Sequence, residues 1–140
     1  QIVISHPDES WDHHEELLAN AMDMWDSLGL HYRVVNICTG DMGTVAARKY
    51  DLEAWLPGAG QYKEVVSCSN CTDYQANRLR MRFRTTEGNE AVHTLNSTAI
   101  ATSRALVAIM EQNQTEDGSI SIPEVLRPYM GGQEFLSPLH

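Results

Sequence analysis

Trp11, Leu18, Ala21, Met22, Trp25 and Leu28 recur at the spacing of one helix face. Asp8 or Ser10 stands where an N-cap belongs, and Gly29 supplies a C-terminal stop. The period then changes. Residues 31–38, "HYRVVNIC", are rich in β-branched side chains and predict a strand, followed by a turn at "GDMG", residues 40–43. "YDLEAWLP" alternates, with Leu52, Ala54 and Leu56 on one face and Asp51, Glu53 and Trp55 on the other, and Pro57-Gly58 ends it. Residues 63–67 predict another strand. In "LRMRFR", Leu79, Met81 and Phe83 alternate with arginines, the pattern of a half-buried strand. Gly88-Asn89 turns the chain into "EAVHTLN". A helix of about ten or more residues follows, centred on residues 104–111 and rich in Ala, Leu and Ile. "EDGS" turns, residues 120–122 extend, and Pro123 opens a short helical piece. Several strands in a row, with helices near the start and near the end, predict an α+β fold: an antiparallel β-sheet flanked by helices.

At 140 residues, 42% hydrophobic and 21% charged, the chain is sized and composed as one domain with a core of its own. It shows no internal repeat, no apolar run of about 20 residues that would span a membrane and no secretory leader. Three cysteines, an odd count, suit a reducing compartment, so the expectation is a cytoplasmic protein. The sequons at Asn70, Asn96 and Asn113 then read as coincidences. A net charge of −9 argues against gripping nucleic acid through bulk electrostatics, although it leaves room for a local basic site. Arg78, Arg80, Arg82 and Arg84 occupy alternate positions and admit two readings: a solvated sheet face, or a sheet lining an anionic cleft.

Cys68-Ser-Asn-Cys71 has the look of half a zinc site. A structural zinc wants four ligands, and only Cys38 remains, so buried thiols acting as small hydrophobes are the expectation and zinc is not. In "DHHEE", residues 12–16, His13 and His14 are neighbours on a helix and point in different directions, which favours a solvated face. Neither a GxGxxG nor a GxxxxGK[ST] loop is present.

Four stretches carry a family resemblance: "YDLEAWLPG" from residue 50, "EVVSCSNCTDYQ" from residue 64, "VHTLNSTAIATSRALVAIMEQNQTEDG" from residue 92 and "IPEVLRPYMGG" from residue 122. "SHPDESW" and "LGLHYRVVNICTGDMG" fit as well. In order and spacing they resemble the C-terminal portion of the catalytic domain of the seryl-tRNA synthetases, which are class II aminoacyl-tRNA synthetases. The resemblance covers all but about the last eight residues. It implies the class II catalytic-domain fold and an ATP- and magnesium-dependent activation of serine to seryl-adenylate, with transfer to tRNA(Ser), by a homodimeric parent protein.

The resemblance also implies roles. Glu64 and Ser67 sit by the ATP phosphates and help hold a magnesium ion, whose preference is for hard oxygen ligands. Val65 and Val66 line the adenine and ribose neighbourhood. Arg104 is the arginine of the third class II motif, stacking on adenine and reaching the γ-phosphate; a planar, permanently charged guanidinium suits both tasks. Asn96 and Thr98 fall near the substrate serine. The "CSNCTD" cysteines are not zinc ligands in this family. "NSTAIATSR" stands where many relatives have "NGSGLAVGR", so Thr98 replaces a serine-type hydroxyl and Ser103 a glycine, and Asn77 stands where a second arginine is common. The family's N-terminal tRNA-binding arm, motif 1 and motif 2 are not found in this sequence, and the serine-reading glutamate after motif 2 would fall just before Gln1. The piece alone is therefore expected to be inactive, or nearly so. Two alternatives are a related enzyme that activates serine or another small amino acid for a carrier other than tRNA, and a non-catalytic binding module of the same fold.

Overall fold

The computed structural model describes residues 1–138. After β1 (Ile2–Ser5) and a single 3-10 turn (Pro7–Glu9), helix α1 runs through Ser10–Ser27. Next come β2 (Tyr32–Asn36), β3 (Arg48–Leu56) and β4 (Gln61–Asn70). A short helix α2 (Tyr74–Leu79) leads to the small hairpin β5 (Arg82–Arg84) and β6 (Asn89–Ala91). Then follow β7 (His93–Ser97), α3 (Thr102–Gln112), β8 (Ile120–Ser121), a 3-10 segment (Glu124–Met130) and β9 (Phe135–Leu136). The main sheet is antiparallel, in the order β1-β7-β4-β3-β2. The α+β architecture expected from the sequence is the one observed. No helix among the described residues is long and apolar enough to cross a membrane.

Both long helices pack on one face of this sheet. Trp25, Leu17, Leu18 and Ala21 of α1 and Ala105 and Ala108 of α3 share a core with Leu52, Ala54, Val66, Cys68 and Leu95 of the strands. Burying a side chain the size of Leu52 or Leu95 contributes about 1.5–3 kcal/mol. Buried polar groups lock α1 in register. The Nε2–H of His14 donates to the carbonyl of Cys68 (3.1 Å), and Asn70 Nδ2 donates to the carbonyl of Ser10 (3.2 Å).

Local expectations need four corrections. Ser10 is buried rather than a cap: its hydroxyl bonds Pro7 O (3.1 Å) and His93 Nδ1 (2.7 Å), while His6 caps the preceding turn. Trp11 lies outside the core, partly exposed. His14 is not part of a solvated face; it is fully buried and stacks on Tyr50, because the helix turns it inward while His13 stays at the surface. Lastly, "LRMRFR" is not one strand. Its first residue ends α2, Arg80 adopts a left-handed conformation (φ 56°), and only Arg82–Arg84 extends. Alternation there is incidental, since Arg82 donates to the carbonyls of Ala76 (3.2 Å) and Met81 (2.8 Å) and so closes the helix end.

Candidate active site

The sheet face away from the helices carries the chemistry, and one irregularity in β4 arranges it. Leu52 pairs with Val66, but Glu53 pairs with Glu64, so Val65 is an extra residue, a β-bulge. Side chains alternate along a strand, so residues three apart normally face opposite ways. The bulge shifts the alternation by one. Glu64 and Ser67 therefore share a face, because their partners Glu53 and Asp51 are two apart on β3. Lys49, Ser69 and Asn96 continue that face across three strands. The polar set of β3 is thus the one its alternation indicates, and the pairing of Glu64 with Ser67 becomes visible only in the register.

This face is built of opposed charges. Arg33 meets Glu53 (2.7 Å), Lys49 approaches Asp51 (3.7 Å), and Arg104 meets Glu64 (3.1 Å). Asp51 is only 4% exposed, and its Oδ1 has no hydrogen-bond partner. Burial pushes its carboxyl above the usual range, opposed by Ser67 across the ladder and by Lys49. Lys49 Nζ also donates to Asp41 O (3.1 Å), which draws the loop after β2 over the face. Asp51 and Glu53 stand opposite Ser67 and Glu64, Lys49 opposite Ser69 and Arg33 opposite Glu53, so the register adds these four to the residues the sequence names.

Arg104, in the first turn of α3, reaches back over the sheet. Its Nη1 donates to both the carbonyl (2.8 Å) and the carboxylate (3.1 Å) of Glu64. An open cleft of about 440 Å³ lies beside the pair, lined by Lys63, Glu64, Val65, Ser103, Arg104 and Val107. Arg104 and Glu64 are each about half exposed and so accessible to a ligand. Thr98 is tied to the same strand, its amide donating to Ser67 O (3.1 Å). Asn96 is exposed beside Ser69, and its Nδ2 donates to Cys71 Sγ (3.7 Å). Both valines are almost fully buried members of the core; Val65 still borders the cleft and Val66 does not.

Cys68 and Cys71 are buried free thiols, and burial pushes Cys68 up to about 11, the opposite of a thiolate prepared for zinc. Among the described residues no group of three or more His, Cys, Asp or Glu is placed to hold a metal. Glu64 and Ser67 nonetheless fit magnesium, which takes one or two protein oxygens and completes its shell with water and phosphate.

Residues 1–113 match the class II tRNA synthetase core domain shared by the G, H, P, S and T enzymes, and the chain belongs to that family. Within it, the similarity is to seryl-tRNA synthetases. The chain is 64% identical to the serine–tRNA ligase of Methanospirillum hungatei over 97% of its length, and 59% identical to that of Pyrococcus horikoshii over the same share. It covers 33% and 30% of those relatives, about a third of their length. The crystal structure of seryl-tRNA synthetase from Pyrococcus horikoshii complexed with ATP superposes with a TM-score of 0.96 at 56% identity, covering 100% of this chain and 32% of that one. The cytoplasmic enzyme of Naegleria fowleri in complex with AMP gives 0.93 at 46% identity, covering 100% and 33%.

Proposed function

We propose that this chain is the C-terminal part of the catalytic domain of a serine–tRNA ligase. The whole protein, a cytoplasmic homodimer, would activate serine with ATP and then transfer it to tRNA(Ser). The observation that carries this reading is the closure of Arg104 over Glu64 on a polar sheet face, in a fold that superposes on an ATP-bound synthetase. Arg104 would exchange its bond to Glu64 for the adenine face and the γ-phosphate, a task that needs a planar, multiply donating cation. Freed of Arg104, Glu64 would join Ser67 as an oxygen ligand to magnesium, which when bound neutralises charge on the phosphates. Val65 and the backbone of Val66 would bound the nucleoside. Asn96 and Thr98 would orient serine, and a site that hydrogen-bonds a substrate hydroxyl rejects an analogue lacking it by about 10⁴-fold in good cases.

The test is serine-dependent exchange of pyrophosphate into ATP by the full-length protein. Exchange with serine, little with alanine, and a collapse in Glu64→Ala at unchanged melting temperature are expected. Exchange that persists within a few-fold in Glu64→Ala at saturating magnesium would reduce Glu64 to a surface carboxylate.

A further inference from the structure

We propose that the corner formed by α2 and β5 is a binding surface for RNA backbone phosphates, presented by Arg78, Arg80 and Arg84. The identity of that RNA as the aminoacyl acceptor rests on the ligase reading; the phosphate chemistry does not.

Charge accounting on the molecule points to this corner. The chain has ten basic and nineteen acidic side chains. Arg33, Arg48, Lys49, Arg104 and Arg127 each stand within 4 Å of a carboxylate. Among the described residues, none of the four arginines between positions 78 and 84 forms such a pair, and residues 74–86 contain no Asp or Glu. All four are exposed. The hairpin keeps its acid away from them. Arg82 and Arg84 stand opposite Ala91 and Asn89, while Glu90 stands opposite Phe83 and so on the other face. Among the described residues, a surface dominated by carboxylates thus leaves one concentrated block of unneutralised guanidinium. Like charges so close repel one another, and that cost is recovered when a polyanion binds and releases its counterions.

The arginines also differ in what they have left to offer. Arg82 is committed to closing α2, with a further bond to Asn77 Oδ1 (3.0 Å). Arg78 sits over the ring of Tyr74, 3.5 Å from its centroid, and its Nη1 donates to the Tyr74 carbonyl (3.0 Å), which together hold the guanidinium in place and leave its other N–H groups free. Arg80 and Arg84 make no hydrogen bond through their side chains to any described residue. Three forked donors on an exposed bend match phosphate oxygens better than an apolar or neutral partner.

Position supplies the second argument. Gln75, one helical turn before Arg78, lines a pocket of about 250 Å³ together with Ser69, Cys71 and Asn96. Ser69 and Asn96 belong to the polar face of the sheet. A strand of RNA crossing the arginines would therefore run onto the face that carries the candidate site. The acidic remainder of the surface would repel the same strand elsewhere, confining it to this approach.

The experiment uses the full-length protein and its Arg78→Gln/Arg80→Gln/Arg84→Gln variant, with tRNA(Ser) transcript binding measured on filters between 50 and 200 mM salt, on the order used to define salt slopes. The variant is expected to bind at least about ten-fold more weakly at 0.1 M salt, with the slope of log K against log salt shallower by about two to three. Arg80→Gln alone should lower the slope by about one. Serine-dependent ATP–pyrophosphate exchange, which uses no tRNA, should stay within about two-fold of wild type. Unchanged affinity and slope would overturn the proposal. So would a variant that loses exchange and melting temperature along with binding, which would mean that the arginines pair with carboxylates elsewhere in the whole protein. Absence of exchange in the wild type would refute the ligase reading, while the binding arm would still decide on the surface.

Discussion

β3 and β4 present two faces built from the same backbone, and they obey different rules. Toward the helices stand Leu52, Val66 and Cys68, fully buried and closely packed. Toward the open side stand Lys49, Asp51, Glu53, Glu64 and Ser67. The first face holds the fold. The second adds little to it, because exposed ion pairs such as Arg104–Glu64 contribute about 0–1 kcal/mol. Asp51 is worse than neutral, a carboxyl held in a site that opposes its charge. A face that folding does not need, furnished with charges that folding does not favour, is best explained by a ligand.

Breaking each face in turn separates the two roles. On the core face, Leu52→Ala should cost about 2–5 kcal/mol in a denaturant titration, since the side chain is fully buried between the sheet and its helices. A loss under about 1 kcal/mol would mean that the two faces are not energetically distinct. On the open face, Arg104→Lys in the full-length protein should move stability by only a few tenths of a kcal/mol. Serine-dependent exchange should fall by at least about 10²-fold, because lysine keeps the charge but loses the plane and the fork of donors. Near-normal exchange in the lysine variant would remove the central residue from the site.

A subtler contrast is titratable. Burial holds His14 below its usual pKa of 6.5, so the folded protein favours the neutral ring. Its contribution is complete above about pH 6.5 and is lost as pH falls through the depressed folded-state value, because the unfolded chain takes up the proton first. His14→Gln should therefore show a shallower decline of denaturation midpoint between about pH 7.5 and 5.5 than wild type. Parallel declines would show that His14 is not buried as described. The smallest effect is expected from chelation. With Cys68 and Cys71 buried as neutral thiols, a strong zinc chelator should leave the melting temperature unchanged, and elemental analysis should find no stoichiometric zinc.

The legible part of the molecule was the part governed by short-range periodicity. The face of α1 from Leu18 to Leu28, the alternation of β3 and the helix around Arg104 could all be read directly, since burial of one face imposes its period on the sequence. Two failures have physical causes. In residues 79–84 an alternating pattern was shared between a helix end and a strand, and the helix end prevailed because Arg82 closes it. His14 looked polar and solvated, yet a hydrogen bond to the Cys68 carbonyl allows an imidazole to be buried. Glu64, Ser67, Asn96, Thr98 and Arg104 enter the candidate site as proposals, and only by likeness to a family. Lys49, Asp51 and Arg33 join it through cross-strand register, which a one-dimensional pattern does not carry.

The extra residue at Val65 acts on β4 as a half-period delay acts on a wave. Downstream of it, Cys68 and Asn70 arrive at the helices while Ser67 and Ser69 arrive in the open; remove the delay and the two pairs trade places. Deleting one residue here would thus invert the strand, carrying hydroxyls into the core and thiol and amide out of it, a harsher change than replacing any of them. The number of residues between Glu64 and Ser67, rather than any one side chain, is what keeps the carboxylate and the hydroxyl on speaking terms.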